Sequence, residues 1–150
     1  MNSVNELLRP DFEQLRQEVI AAYNNSGQAA TGNWADSVQI IELPNGFSLT
    51  ADDYINGRGP GKPPPSSAIE QWLINKGIAA RISKDISIGS LAFLIARKIA
   101  RNGWQPKPNT INPIEAVVTP QRIQQLLDKA AGYYTNDFCS TIINYLKPVA

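Results

Sequence analysis

The stretch "VQIIELPNGFSLT", residues 38–50, decides the fold class of this chain. On either side of Pro-Asn-Gly at residues 44–46, apolar side chains alternate with polar ones, as they do in a β-strand with one covered face. Asn-Gly between two such runs is a strong signal for the tight turn of a hairpin. Ile40 and Ile41 are adjacent, which favours a first strand that is covered on both faces or bulged. We therefore expect a β-hairpin over residues 34–57.

One helix is predicted before the hairpin, over residues 9–25. Its apolar side chains recur three and four positions apart, and Pro10 suits the first helical turn. Residues 1–9 are expected to form a flexible N-terminus. Residues 24–33 are rich in Asn, Ser and Gly and predict a flexible connector after the helix.

Two further helices are predicted after the hairpin. The first is short, is capped by Ser66 or Ser67, and ends before Gly77, which tolerates a positive φ. The second, residues 87–103, has the most continuous apolar stripe of the chain, and we expect Leu94 to widen its buried surface.

The last third of the chain is proline-rich at first and then helical. Residues 104–118 favour an extended arm, because proline interrupts helices. Thr119 as cap and Pro120 in the first turn begin a long helical pattern, which forms either one helix or two that meet near Gly132 or Thr135. Together these elements predict a single α+β domain, in which an antiparallel hairpin or small sheet packs against three to four helices.

The composition restricts the chemistry that this chain can perform. It has 150 residues, a net charge of +1, no histidine and a single cysteine, Cys139. Histidine is the commonest general base and metal ligand, so its absence disfavours both kinds of site. Cys139 cannot form an intrachain disulfide and is expected to be a small buried apolar residue.

The charge and hydropathy patterns disfavour a membrane protein. The near-zero net charge gives no overall attraction to anionic membranes or to nucleic acid. No signal peptide is evident, and the longest apolar-rich stretch, around residues 91–100, contains Arg97 and Lys98 and is too short to cross a bilayer. A soluble protein made in a reducing compartment is expected.

The stretch "GRGPGKPPP", residues 57–65, has the composition of a phosphate-binding loop but not its pattern. Asn56 stands where the first Walker glycine belongs, and Pro63 stands where a magnesium-binding hydroxyl belongs. Prolines also lack the N–H groups that would hold phosphate. We therefore expect a stiff loop that holds Arg58 and Lys62 in one place for contact with another subunit or a polyanion. An ordinary surface loop is the alternative.

No other residue set points to catalysis or to a cofactor. Asp52 and Asp53 could bind a metal or act as acid and base, but no further carboxylates are clustered nearby, and a solvated turn is expected. Serine and threonine are plentiful, yet no histidine can activate them. The sequence therefore predicts no enzyme, no metal site and no cofactor.

The predicted helix over residues 87–103 carries a basic strip, defined here as Arg97, Lys98 and Arg101. Arg97 and Arg101 are four residues apart and share a face. The strip is either an ordinary solvated helix face or a surface for DNA or an acidic neighbour. The larger aromatic residues are expected in the core or at interfaces rather than in stacking platforms: Trp34, Trp72, Trp104, Tyr133 and Tyr134.

Three parts of this region together resemble the neck or tail-completion proteins of tailed bacteriophages, which join the head connector to the tail. The first part is Gly-Arg-x-Pro-Gly-Lys-x-Pro-Pro at residues 57–65; the second is a helix with Ile-x-x-Trp and Lys-Gly-Ile over residues 69–78. The third is a helix over residues 92–103 that ends in glycine before a proline-containing arm. The resemblance covers about residues 54–108, and the arm is longer and richer in proline than the family's. The matching residues are Gly57, Arg58, Pro60, Gly61, Lys62, Pro64, Pro65, Ile69, Trp72, Lys76, Gly77, Ile78, Ala92, Ile95, Ala96, Ile99 and Gly103.

This resemblance implies an α+β fold and a structural role without catalysis or cofactor. Copies would form a ring around the DNA channel, between portal or adaptor proteins and the tail, near packaged DNA. The protein would be made in the host cytoplasm and would reside in the virion. Candidate subunit contacts are Arg58, Lys62, Trp72, Arg97, Arg101 and Trp104. The alternative is a small DNA-binding regulator, or another non-virion interaction protein, that uses the basic strip.

Overall fold

The computed structural model describes residues 3–28, 33–82 and 85–147. Within these ranges the chain forms α-helices and one two-stranded antiparallel sheet, so the predicted α+β class is confirmed. The α-helices are α1 (Val4–Asn25), α2 (Asn33–Ser37), α3 (Ser66–Asn75), α4 (Ile88–Asn102), α5 (Pro113–Val117) and α6 (Pro120–Leu146). The strands are β1 (Gln39–Leu43) and β2 (Gly46–Thr50), and short 3-10 turns span Asp53–Asn56 and Ala79–Arg81.

The hairpin forms around the Asn-Gly signal as predicted. Its register pairs Gln39 with Thr50 and Leu43 with Gly46, without interruption in between. The strand β1 is therefore not bulged, and it is not covered on both faces, since Ile41 is 47% exposed. The predicted hairpin was also too long at its start, because Asn33–Ser37 form the short helix α2.

The chain forms two compact units, each built from segments that are discontinuous in the sequence. The first unit comprises the described residues of Met1–Ala22, Val38–Thr50 and Pro113–Ala150. The second comprises those of Tyr23–Ser37 and Ala51–Asn112.

In the first unit, α1 holds the hairpin through aromatic and polar contacts. The ring centroids of Phe12 and Phe47 are 5.1 Å apart, and the Arg9 guanidinium lies 5.3 Å above the Phe47 ring. Arg9 also pairs with Glu42 on β1 at 2.5 Å, and Asn5 donates a hydrogen bond to the same carboxylate at 3.0 Å. These hydrogen bonds favour the ionised form and lower the pKa of Glu42.

Helix α6 is bound to α1 by two ion pairs. Arg122 Nη2 lies 3.1 Å from Glu18 Oε1, and Lys129 Nζ lies 2.5 Å from Asp11 Oδ2. The cap predicted for α6 is confirmed, because Thr119 Oγ1 accepts a hydrogen bond from the Arg122 N–H. The alternative that we left open is also decided: α6 is one continuous helix, without a break at Gly132.

In the second unit, Trp34 is the largest fully buried side chain. Its indole N–H donates to the Asp52 carbonyl at 2.7 Å, and its ring lies 4.7 Å from that of Tyr23. Asp52 and Asp53 themselves are exposed, as a solvated turn requires. Helix α3 packs against α4 around the buried residues Leu73, Ala92 and Ala96.

Several predictions of local structure were wrong. Residues 1–9 were expected to be flexible, but α1 begins at Val4, and both Val4 and Leu8 are buried. Cys139 was expected to be buried, but it is exposed on α6. Leu94 does not widen the buried surface of α4, since it is 52% exposed. Of the predicted flexible connector 24–33, residues 29–32 lie outside the described residues.

Candidate functional site

The glycine–proline loop is fastened to the C-terminal end of α4. Arg58 and Trp104 exchange two backbone hydrogen bonds, Arg58 N–H to Trp104 O at 2.7 Å and Trp104 N–H to Arg58 O at 2.8 Å. The Gly61 N–H donates to the Ala100 carbonyl at 2.9 Å. We call this set of contacts the clasp, formed by residues 57–62 and 100–104. It fixes the course of the loop through its backbone, independently of most side chains.

The two backbone segments of the clasp lie so close together that two positions, Gly57 and Gly103, must be glycine. Gly57 and Gly103 have φ of 97° and 73°, in the left-handed region that favours glycine. A Cβ on Gly57 would overlap the Trp104 carbonyl oxygen, and a Cβ on Gly103 would overlap the Arg58 carbonyl oxygen. By contrast, a Cβ on Gly59 would meet open space. Gly57 and Gly103 therefore both make room for the same contact, the backbone pairing of Arg58 with Trp104.

The second half of the loop leads directly into α3. The Ala68 N–H donates to the Pro65 carbonyl at 3.1 Å, so the last proline begins the helix. Pro65 occupies the cap position and no side chain caps α3, so the prediction of a Ser66 or Ser67 cap was wrong. Proline fills this position because its fixed φ suits a helix start and the helix needs no N–H there.

The predicted arm lies within the second unit over most of its length. Trp104 is held by the clasp, and at residue 112 the Asn112 amide donates to the Asn56 side-chain oxygen at 2.7 Å. A turn with Asn109 at φ 68° lies between these two points. The arm ends sooner than predicted, since Pro113–Val117 form α5, which begins with a proline in its first turn.

The six predicted site residues fall into three groups. Arg58, Lys62 and Trp104 are brought together in the clasp, where the Arg58 guanidinium donates to the Lys62 carbonyl at 2.5 Å. Trp72 was predicted to form the structural hub of the loop together with Arg58 and Lys62. It lies on α3 with 40% of its surface exposed, and no hydrogen bond or ring contact among the described residues joins it to the clasp. Arg97 and Arg101 form the third group, on α4.

The basic strip lies on an exposed face of α4. Arg97, Lys98 and Arg101 are all exposed and stand beside Leu94 and Asn102. Within the ranges that the structure describes, none of the three cations forms an ion pair. This face of α4 therefore presents three uncompensated positive charges beside an exposed apolar side chain.

The residues with the strongest geometric constraint in this site were missed by the sequence analysis. Gly103 was interpreted as a helix stop and Gly57 as a residue that lets the loop turn sharply, and both were named as matches to the resembling family, but the contact between their segments was not predicted. Their common role depends on a contact between segments far apart in the sequence, for which no local pattern exists. The one available hint was that an aromatic residue, Trp104, follows the stop directly.

Among the described residues, no group of three or more histidine, cysteine, aspartate or glutamate side chains is placed to hold a metal ion. None of the helices that the structure describes has the length and hydropathy of a membrane span.

No protein-family model, curated protein or solved structure matches this chain.

Proposed function

We propose that this chain is a structural protein of the head–tail junction of a tailed bacteriophage, a neck or tail-completion protein whose copies form a ring around the DNA channel. The observation that carries the proposal is the clasp. It joins two of the three parts of the sequence that resemble this family, the loop 57–65 and the C-terminal end of α4. The third part, α3, follows the loop directly and packs against α4. All three belong to the second compact unit.

The loop has the physical properties of a subunit joint. Its backbone course is fixed before any partner binds, so little conformational entropy is lost on association. Arg58, Pro60, Lys62 and Pro63 are exposed on it, and the half-exposed Trp104 stands beside them. Ring subunits contact each other through unlike surfaces, and a stiff projecting loop with cationic and aromatic groups suits such a contact.

The basic strip supports a place near DNA or an acidic neighbour. Three uncompensated cations on one helix attract phosphate, while the net charge of +1 gives no strong non-specific affinity for DNA elsewhere. The same strip favours the second candidate function, a small DNA-binding regulator. The two functions differ in whether the isolated chain binds free duplex DNA.

A genetic experiment tests the main proposal. Deleting the gene from a phage genome that carries it is expected to leave DNA-filled heads and unattached tails in electron micrographs, and wild-type protein supplied in trans restores complete particles. Lys62→Glu, which reverses a charge on the loop, should fail to restore them. Arg81→Glu is the matched control, because Arg81 is an exposed cation of the same unit outside the clasp. Complete particles without the gene would refute the proposal.

A binding experiment tests the second candidate. Affinity for duplex DNA is measured by fluorescence anisotropy at several salt concentrations, with wild type and with an Arg97→Glu, Arg101→Glu double variant. Strong, salt-dependent binding that the double variant loses would favour the regulator. Weak binding that is the same for both proteins would favour the assembly role.

A further inference from the structure

Helix α6 has one face that contacts α1. Arg122 and Lys129 form their ion pairs there, and Leu126 and Tyr133 share that side at spacings of three and four residues. Leu126 and Tyr133 are only half-buried, and α6 has no fully buried residue. The contact with α1 is therefore mostly polar.

The opposite side of α6 carries an exposed apolar stripe. We define the α6 stripe as Leu127, Ala131, Tyr134, Phe138, Thr141 and Tyr145. At 3.6 residues per turn, it lies roughly 130° around the helix from the ion-paired face. Its large members are well exposed: Leu127 56%, Tyr134 49%, Phe138 66% and Tyr145 84%, with Ile123 and Ile142 beside them at 45% and 43%.

The stripe has the spacing of a helix–helix seam. Its members are separated by four, three, four, three and four residues, and this alternation of four and three is the heptad spacing that two helices share when they coil around each other. A surface helix of a monomer normally turns its apolar stripe inward and its charges outward. In α6 the charged residues Arg122 and Lys129 face α1 and the stripe faces away.

The stripe and its surroundings are nearly free of charge. Between Gly132 and Leu146 the only charged residue is Asp137, and it lies off the stripe. Depletion of charge together with enrichment in aromatic residues distinguishes the cores of protein interfaces from the rest of the surface. An exposed apolar patch of several hundred Å² on a folded chain marks an interaction site.

We propose that two copies of this chain pair through the α6 stripe. The partner must offer a helix with the same 3.5-residue repeat and without charge on its seam, and a second α6 offers both. The exposed parts of the three aromatic and the neighbouring aliphatic side chains amount to on the order of 700 Å² of apolar surface. A standard interface buries about 800 Å² per partner, so complete burial of this surface would approach the area of a stable dimer.

This pairing does not rest on the proposed role at the head–tail junction. The stripe belongs to the first compact unit and the clasp to the second. Lys62→Glu changes only the loop and is expected to leave the pair intact, so a failure of the pairing and a failure of the ring are distinguishable.

Sedimentation equilibrium of the full chain tests the pairing. Wild type is expected to show twice the mass of one chain, and Phe138→Glu, which places a charge at the centre of the seam, is expected to show half that value. Asn136→Glu is the matched control, since it adds the same charge two residues away on the opposite side of the helix. It should keep the full dimer mass. Circular dichroism confirms that each variant retains its helix content.

Tyr145→Glu provides a second test if Phe138→Glu does not fold. Tyr145 is 84% exposed, so its replacement removes almost nothing from the chain's own packing. This variant should also reduce the mass by half. The proposal is overturned if wild type remains a monomer at the highest concentration reached, or if both stripe variants retain the wild-type mass.

Discussion

The glycine–proline loop and helix α6 differ in what holds them and in what they leave uncovered. The loop is short, polar and exposed, yet backbone hydrogen bonds to Trp104 and Ala100 fix its course. Helix α6 is the longest helix described, yet ion pairs with partly exposed side chains connect it to α1, and its apolar stripe faces outward. The shape of the loop is therefore fixed within one chain, whereas the α6 stripe is left exposed in the single chain and is covered only in the pairing that we propose.

Replacing a clasp glycine should have the largest effect. Gly103→Ala places a Cβ against the Arg58 carbonyl oxygen at a positive φ, so the clasp must open or distort. We expect the free energy of unfolding, measured by urea titration, to fall by about 3 kcal/mol. Gly57→Ala should act similarly, because its Cβ meets the Trp104 carbonyl oxygen.

Gly59→Ala is the control for both variants. Its Cβ would meet open space, so stability should change by less than about 0.5 kcal/mol. If Gly59→Ala and Gly103→Ala lower the free energy of unfolding equally, the clasp contact does not explain why glycine is needed at residue 103.

The Arg58 side chain should contribute less to the clasp than its backbone. Arg58→Ala removes the hydrogen bond from the guanidinium to the Lys62 carbonyl and leaves the backbone bonds with Trp104 in place. A loss of about 1 kcal/mol in unfolding free energy is expected. Lys62→Ala removes a side chain but retains the accepting carbonyl, so it should cost almost nothing. A larger loss for Lys62→Ala than for Arg58→Ala would contradict this assignment.

The ion pair between Lys129 and Asp11 should contribute still less. Both side chains are about one-third exposed or more, at 40% and 32%, and solvent screens such pairs. A double-mutant cycle with Lys129→Ala and Asp11→Ala should give a coupling energy of about 0.5 kcal/mol. A coupling several times larger would mean that α6 is anchored firmly by its polar face, and the contrast with the loop would disappear.

The smallest expected effect is the pH dependence that Glu42 adds to the hairpin. Its pKa is lower in the folded chain because Arg9 and Asn5 donate hydrogen bonds to the carboxylate. The unfolded chain therefore binds a proton at higher pH, so this stabilisation is present above the ordinary glutamate pKa and is lost as pH falls through the lowered value. Glu42→Gln should flatten the stability curve in that range, as followed by thermal unfolding. If stability depends on pH equally in wild type and in Glu42→Gln, Glu42 is not the source of this pH dependence.

Local signals predicted much of the fold. Asn45-Gly46 placed the hairpin turn, Thr119 and Pro120 placed the start of α6, and Gly77 and Gly103 placed the ends of α3 and α4. Each of these works within a few residues, which is the range over which backbone propensity acts. A proline can either interrupt a helix or begin one, and for that reason α5 was missed at Pro113.

The features that escaped prediction depend on distant contacts. Whether Cys139 or Leu94 is buried depends on what packs over that side of the helix, and helical spacing alone does not say so. The clasp joins Arg58 to Trp104 across much of the chain, so neither glycine's role was visible locally. Trp72 was placed from the sequence with Arg58 and Lys62 in the hub of the loop, but it is Trp104 whose backbone pairs with Arg58.

Cross-linking mass spectrometry of purified tailed particles, from a phage whose genome carries this gene, tests the central claim most directly. The chain is expected among the virion proteins, with Lys62 cross-linked to a residue of a neighbouring copy. Absence of the chain from purified particles, or recovery of the protein with a phosphate-bearing ligand held by the loop amides and Lys62, would contradict the account.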